Sequence, residues 1–121
     1  METFYDRVGG EAWFVALIGH FYERVELDPL LRPLYPEDLA EPRRHLAAFL
    51  VQRFGGPQTY EATRGHPRLR RRHAPFAISQ RERDAWISHM TAALEAAGLA
   101  PNDLGSMVEY FEEAAGMLVN Q

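Results

Sequence analysis

The stretch Gly65-His66-Pro67-Arg68-Leu69-Arg70-Arg71-Arg72-His73-Ala74-Pro75-Phe76 contains two histidines, four arginines and two prolines. The residue before a proline avoids helical dihedrals, so we predict one short helical segment between Pro67 and Pro75. His73 lies at the C-terminal end of this segment. Backbone carbonyls at a helix end lack helical partners, and one of them can accept the N–H of an imidazole nitrogen. The other nitrogen of His73 is then free to bind a metal.

The same stretch also fits a role without a metal. A run of arginines is usually a solvated face, and a single histidine near a helix end more often caps carbonyls or meets the helix dipole. These residues alone therefore leave both interpretations of His73 open.

Composition restricts the class of protein. The chain has 121 residues, 46% hydrophobic and 25% charged, which fits a single domain over residues 1–121. The net charge of −4 argues against a nucleic-acid partner. Five of the thirteen basic residues lie between Arg64 and Arg72, however, and this cluster favours a local anion site.

Cysteine and long apolar runs are both absent. Without cysteine the chain cannot form disulfides, thiolate metal sites or the covalent attachment of a c-type haem. No apolar run reaches the ~18 residues that a membrane span needs. The acidic start Met1-Glu2-Thr3 does not resemble a signal peptide, so we expect a cytoplasmic protein without a membrane span.

Helical periodicity predicts an all-α fold. Apolar residues recur every three or four positions over residues 13–25, 46–54, 86–97 and 104–118, which predicts four long helices. No alternating β pattern occurs. Stacked in pairs, four amphipathic helices of this size can enclose a flat apolar ligand between them.

Local signals predict where these helices begin and end. Pro42 is predicted to begin the second helix, and Ser79 with Glu82 forms a capping box before the third. Pro101 is predicted to precede the last helix. Residues 58–65 are polar and are predicted to be a loop.

Several isolated residues have more than one interpretation. His20, His45 and His89 form no metal-spaced pair and are interpreted as surface residues. Periodicity places Tyr22 and Trp86 in or beside the core, where a buried phenol or indole needs a hydrogen-bond partner. On that basis alone both are ordinary core residues.

Seven motifs follow one another in a specific order. They are Phe4-Tyr5-Asp6, Val8-Gly9-Gly10, Phe21-Tyr22, Leu34-Tyr35-Pro36, Phe54-Gly55-Gly56-Pro57, the opening stretch, and Glu82-Arg83-Asp84-Ala85-Trp86. In this order they resemble the truncated haemoglobins, most closely the second group or O-type. The resemblance covers nearly the whole chain and implies a two-over-two helical sandwich, the truncated globin fold.

The resemblance also implies a haem b site. His73 is implied as the proximal ligand of a penta-coordinate iron, with Tyr22, Tyr35 and Trp86 stabilising a bound ligand on the distal side. The implied cofactor-binding residues are Leu46, Phe49, Tyr60, His66, Leu69, Arg72, His73, Phe76 and Trp86. Arg72 is expected to pair with the haem propionates, since a guanidinium matches a carboxylate.

Two classes of function follow from this resemblance. The first is a haem protein that binds dioxygen, nitric oxide or carbon monoxide and releases oxygen slowly, in oxygen transport, storage or sensing. The second is a redox enzyme that dioxygenates nitric oxide or turns over peroxide with an external reductase. A helical module that binds nucleic acid through the arginine run is the non-haem alternative.

The sequence leaves other properties of such a protein open. They are the physiological ligand, the electron donor, the sixth ligand of the ferric form and the oligomeric state. A homo-oligomer is one of the open alternatives. Pro42 stands where larger globins often carry a distal hydrogen-bond donor, and its side chain cannot donate. The roles of Pro42 and His45 therefore stay open as well.

Overall fold

Periodic apolar stretches form the long helices of the computed structural model, which describes residues 1–121. The seven α-helices are α1 (Phe4–Arg7), α2 (Glu11–Glu26), α3 (Ala40–Arg53), α4 (Thr59–Arg64), α5 (Leu69–His73), α6 (Gln80–Glu95) and α7 (Pro101–Gly116). A 3-10 helix, Arg32–Leu34, lies between α2 and α3. There is no strand, so the predicted all-α fold class is confirmed. No helix is both long enough and apolar enough to span a membrane.

Capping residues begin α6 and α1. The Ser79 Oγ accepts a hydrogen bond from the Arg81 N–H at 3.3 Å, and the Glu82 carboxylate accepts one from the Ser79 N–H at 2.7 Å. Thr3 makes the same reciprocal arrangement with the side chain three residues later at the start of α1. These bonds satisfy N–H groups that have no partner inside the helix, which is why the capping box at Ser79 was a reliable signal.

The hydrophobic core lies between the four long helices. α2 packs against α3 and α6, and α6 packs against α7, so the pairs α2–α3 and α6–α7 form the two layers of the predicted sandwich. The large side chains that are fully buried here are Phe14, Leu17, Ile18, Phe21, Val25, Leu31, Leu50, Met90, Leu94 and Met107. The core thus follows the predicted apolar faces, and the remaining space between the layers is left for the site.

Two boundary predictions were wrong. α3 begins at Ala40, two residues before Pro42, because the Asp38 carboxylate accepts a hydrogen bond from the Ala40 N–H at 2.9 Å. Proline is tolerated in a first turn, since its missing N–H has no helical partner there. Residues 58–65, predicted as a loop, contain α4, which Gln52 of α3 anchors by accepting a hydrogen bond from the Glu61 N–H at 2.9 Å.

His89, interpreted from the sequence as a surface residue, is largely buried. Its side chain is 15% exposed, and its Nε2 lies 2.6 Å from the Asp28 carboxylate. The Arg24 Nε donates to its Nδ1 at 3.2 Å. The hydrogen bond from His89 holds the pKa of Asp28 below its usual range. This contact joins the end of α2 to α6, a pairing between distant residues that spacing along the chain cannot reveal.

Candidate functional site

A cleft, named here the central cleft, opens beside α5 between α3 and the α6–α7 layer. Its free space is about 800 Å³ including its mouth, and 14 of the 17 residues that line it are hydrophobic. The predicted site residues on its wall are Tyr35, Leu46, Phe49, Leu69, His73 and Trp86. An apolar cleft with few polar groups is the usual form of a small-molecule or cofactor site.

His73 is the only histidine on the wall of the central cleft, and a hydrogen bond fixes its ring. Its Nδ1 lies 2.7 Å from the carbonyl oxygen of Leu69, one turn earlier in α5. A carbonyl oxygen only accepts hydrogen bonds, so we assign the ring proton to Nδ1. In the neutral ring Nε2 then keeps a free lone pair, which is the form in which imidazole binds a metal.

His73 does not belong to a cluster of metal-binding side chains. No group of three or more histidine, aspartate and glutamate side chains is arranged to hold a metal ion. A metal bound by one imidazole must therefore bring its remaining ligands with it. A metal carried in an organic ring meets this condition, and the apolar wall of the cleft suits such a ring.

Arg72 and His66 shape the backbone around α5. The Arg72 Nε donates to the carbonyl oxygen of Pro67 at 2.7 Å, and its Nη2 donates to that of Arg64 at 2.9 Å. His66 accepts a hydrogen bond from the Arg68 N–H at 3.2 Å. Arg68 itself has a left-handed φ of +45°. Arg72 thus joins the end of α4 to the start of α5, and neither Arg72 nor His66 lies on the wall of the cleft.

A basic cluster lies next to α5, around the buried ring of Tyr60. The guanidinium carbons of Arg64 and Arg72 are 5.8 and 5.9 Å from the centre of this ring. Arg64 Nη1 lies 3.0 Å from the imidazole of His45, which is half-buried and not at the surface as interpreted from the sequence. Burial and the Arg64 charge lower the pKa of His45.

Neither guanidinium of this basic cluster has a carboxylate within ion-pair distance. The Tyr60 ring also meets Phe49, a residue of the cleft wall, with centroids 5.6 Å apart. An uncompensated positive cluster that touches the cleft through this aromatic pair fits an anionic group on a ligand.

Two phenols and an indole gather at another part of the site. The rings of Tyr22 and Tyr35 meet edge to face. Burial raises the pKa of Tyr35 to about 12, and hydrogen bonding to Trp86 and Tyr22 partly offsets this effect. Burial, followed by the neighbouring Tyr35, raises the pKa of Tyr22 well above its usual value. Both phenols therefore keep their protons at neutral pH and can donate hydrogen bonds.

Five of the predicted site residues do not reach the wall of the central cleft: Tyr22, Tyr60, His66, Arg72 and Phe76. Tyr22 and Tyr60 are buried one layer behind it, against Tyr35 and Phe49. The Phe76 side chain is 42% exposed. His66 is also exposed. For these residues a role toward a ligand rests on the resemblance and not on direct contact with the cleft.

Sequence reasoning did not assign several wall residues to the site. They are Leu31, Leu34, Leu50, Ile78, Glu82, Arg83, Tyr110, Phe111, Ala114, Ala115 and Leu118. Phe111, Ala114, Ala115 and Leu118 belong to the apolar face that periodicity predicted to point inward, but Tyr110 does not. Periodicity shows that a face points inward, but it does not distinguish packed core from the wall of a cleft.

The chain is similar in sequence and in fold to known globins. Residues 3–120 match the sequence family described as bacterial-like globin. The chain is 42% identical over 112 residues to the Group 2 truncated hemoglobin YjbI of Bacillus subtilis, covering 93% of this chain and 85% of that protein. It superposes on a hemoglobin from Chloroflexus aurantiacus with a TM-score of 0.97 and 51% identity, covering 100% of both chains. For the Group II truncated hemoglobin from Bacillus anthracis the TM-score is 0.95 with 36% identity, covering 100% of this chain and 98% of that one.

Proposed function

This chain belongs to the bacterial-like globin family as a group II truncated haemoglobin, a haem-binding globin, and from this premise we propose that it binds dioxygen at a haem b held in the central cleft. The hydrogen bond from His73 Nδ1 to the Leu69 carbonyl carries the proposal, because it leaves Nε2 as a free ligand atom at an apolar wall. We also propose that residues 1–121 form one globin domain, which the single core cluster supports.

The residues around the cleft fit the cofactor in their chemistry. His73 would be the one protein ligand of the iron, and the side chains of Leu46, Phe49, Leu69 and Trp86 would surround the apolar ring. The positive cluster around Tyr60 would hold the propionates, through Arg72 as predicted or through the neighbouring Arg64. When bound, haem supplies a ferrous iron with one open position for a small diatomic ligand.

The chain's own part in ligand binding is to donate hydrogen bonds and exclude water. Bound dioxygen carries partial negative charge, and the neutral phenol of Tyr35 and the indole N–H of Trp86 on the cleft wall would donate hydrogen bonds to it. Tyr22 packs behind Tyr35 and would hold that phenol in place. The apolar wall strengthens these bonds by keeping the surroundings poorly polar. We therefore expect slow oxygen release.

A redox enzyme is the second candidate function. The cluster of two phenols and an indole favours it, since groups that slow oxygen release favour reaction over delivery. Dioxygenation of nitric oxide to nitrate consumes one electron in each turnover, so this function requires an external reductase. The fold does not separate the two candidates, because one globin scaffold supports several uses of haem.

Haem titration of the apoprotein tests the proposal. We expect saturation at one haem per chain with a Soret band, followed by reversible spectral changes when the reduced protein meets dioxygen or carbon monoxide. A spectrum that stays that of free haem after haem addition would contradict it and would favour the non-haem alternative. Stopped-flow mixing of the oxygenated protein with nitric oxide, then turnover with candidate reductants, separates binding from catalysis.

A further inference from the structure

Asn120, which lies beyond the end of α7, holds the segment that follows His73. Asn120 makes four hydrogen bonds to residues 73–78. Its backbone N–H donates to the Ile78 carbonyl oxygen at 2.8 Å, and its Oδ1 accepts from the Ile78 N–H at 2.9 Å. Its Nδ2 donates to the Phe76 carbonyl oxygen at 2.8 Å and, in a longer contact of 3.5 Å, to that of His73.

These bonds are the only hydrogen bonds that join residues 73–78 to a distant part of the chain. The others are local, such as the bond from the Phe76 N–H to the His73 carbonyl at 3.0 Å. Residues 74–77 are all exposed, so apolar burial does not fix them. The backbone immediately after His73 therefore depends on Asn120 for its attachment to the rest of the fold.

α5 cannot fix the position of His73 by itself. It has five residues, far fewer than the ~12–15 that an isolated helix needs to be even marginally stable. Its N-terminus has no side-chain cap, and Arg70 and Arg71 in its middle are exposed. Contacts with other segments must hold it: Arg72 provides one toward α4, and Asn120 provides one just beyond its C-terminal end.

We propose that Asn120 is a positioning residue for the iron ligand, which fixes the backbone from His73 to Ile78 and so holds the imidazole at the wall of the central cleft. The inference rests on the proposed function, since it takes His73 as that ligand. Ile78 and Leu118 both line the cleft, so the contact between Asn120 and Ile78 also joins two parts of the same wall.

The amide group is essential to this contact. The side chain must accept from one N–H and donate to a carbonyl, and among side chains of this length only asparagine does both in a fixed arrangement. Aspartate would still accept from the Ile78 N–H but would place negative charge against the Phe76 carbonyl oxygen. Alanine would leave only the backbone bond to Ile78.

The test compares Asn120→Ala and Asn120→Asp with the wild type and with Asn102→Ala, an exposed asparagine of α7 whose side chain makes no hydrogen bond. Three quantities are measured on the full chain: amide hydrogen exchange, haem transfer to an excess of apoglobin, and the iron–histidine stretching band of the ferrous protein in resonance Raman. Exchange of α2 amides shows whether each variant folds.

In Asn120→Ala we expect the Ile78 amide to exchange about tenfold faster, because the side-chain acceptor of its N–H is lost. In Asn120→Asp, which keeps this acceptor but loses the bonds to the Phe76 and His73 carbonyls, we expect a smaller acceleration. In both variants we expect haem transfer to accelerate about three- to tenfold and the iron–histidine band to shift or broaden. Asn102→Ala should match the wild type in all three. A wild-type protein without an iron–histidine band would overturn the proposed function together with this inference. If the wild type shows the band and both Asn120 variants show it at the same position, with unchanged haem transfer, the inference alone is overturned.

Discussion

The rings of Tyr22 and Tyr35 meet edge to face, with their centroids 5.6 Å apart and their planes at 87°. Phe21 packs beside this pair, with its ring centroid 5.0 Å from that of Tyr22 and 4.9 Å from that of Trp86. Phe21 of the core thus packs against both Trp86 and Tyr22, and Tyr22 in turn packs against Tyr35. The three donors form a unit whose geometry the core sets, which makes each of them a precise target for substitution.

Trp86→Phe tests whether the indole N–H acts on a bound ligand. If it donates to dioxygen, its loss removes a hydrogen bond to a partly charged acceptor, on the order of 1.5–3 kcal/mol, or about ten- to a hundredfold in the oxygen dissociation rate. Carbon monoxide carries less negative charge on its outer atom, so its release should accelerate far less. Laser photolysis and stopped-flow mixing measure both rates.

Trp13→Phe is the matched control for this experiment. The Trp13 indole donates to the Ala97 carbonyl oxygen at 3.3 Å and does not line the cleft, so its loss should lower stability without changing ligand kinetics. Parallel acceleration of oxygen and carbon monoxide release in Trp86→Phe would indicate altered packing or access and would count against a donor role.

The partly buried phenol of Tyr35 predicts a loss of stability at alkaline pH. Its pKa in the folded protein is about 12, above the ordinary value of about 10, so folding favours the protonated form. This contribution is complete below pH ~10 and is lost as the pH rises through ~12. Between about pH 9 and 11 the free energy of unfolding of the wild type should fall by on the order of 1 kcal/mol more than that of Tyr35→Phe. Urea unfolding at both pH values measures this difference. An equal fall in the free energy of unfolding for the wild type and Tyr35→Phe would refute the prediction.

Arg72→Ala should weaken haem retention by two routes. The guanidinium ties the carbonyls of Pro67 and Arg64 together, and it lies in the cluster that we propose for the propionates. We expect haem transfer to apoglobin to accelerate about fivefold or more. Raising the salt concentration from about 0.02 to 0.5 M should reduce only that part of the acceleration of haem transfer that comes from lost ion pairing. Arg71→Ala, whose exposed side chain makes no hydrogen bond, is the control. An unchanged transfer rate at both salt concentrations would exclude both routes.

The long helices were predictable because each has an apolar face that repeats at the helical period. α4 was not, since Tyr60 is the only large apolar side chain among its six residues and shows no helical repeat, and its stability comes from contacts such as the hydrogen bond between Gln52 and Glu61. The start of α3 was misplaced for a similar reason: the side chain of Asp38 lengthens the helix beyond what Pro42 alone suggests. Short elements held by distant partners leave little trace in local sequence.

The candidate site was predictable in part. The prolines around α5 and the order of the motifs predicted a ligand role for His73. Its ring lies on the cleft wall, with its Nδ1 hydrogen-bonded to the Leu69 carbonyl oxygen. The partners of Arg72 are backbone carbonyls, and their direction depends on the complete fold. Asn120 gave no signal at all, because it lies in no periodic segment and acts on residues more than forty positions away.

We propose that His73 is the only protein ligand of a non-covalent haem, and resonance Raman spectroscopy of His73→Gly tests this role most directly. We expect the ferrous wild type to show an iron–histidine stretching band. The variant should either lose haem or retain it only with added imidazole, whose isotopic labelling then moves the band. Normal haem uptake by His73→Gly without imidazole, with the iron–nitrogen band unchanged from the wild type, would contradict the assignment.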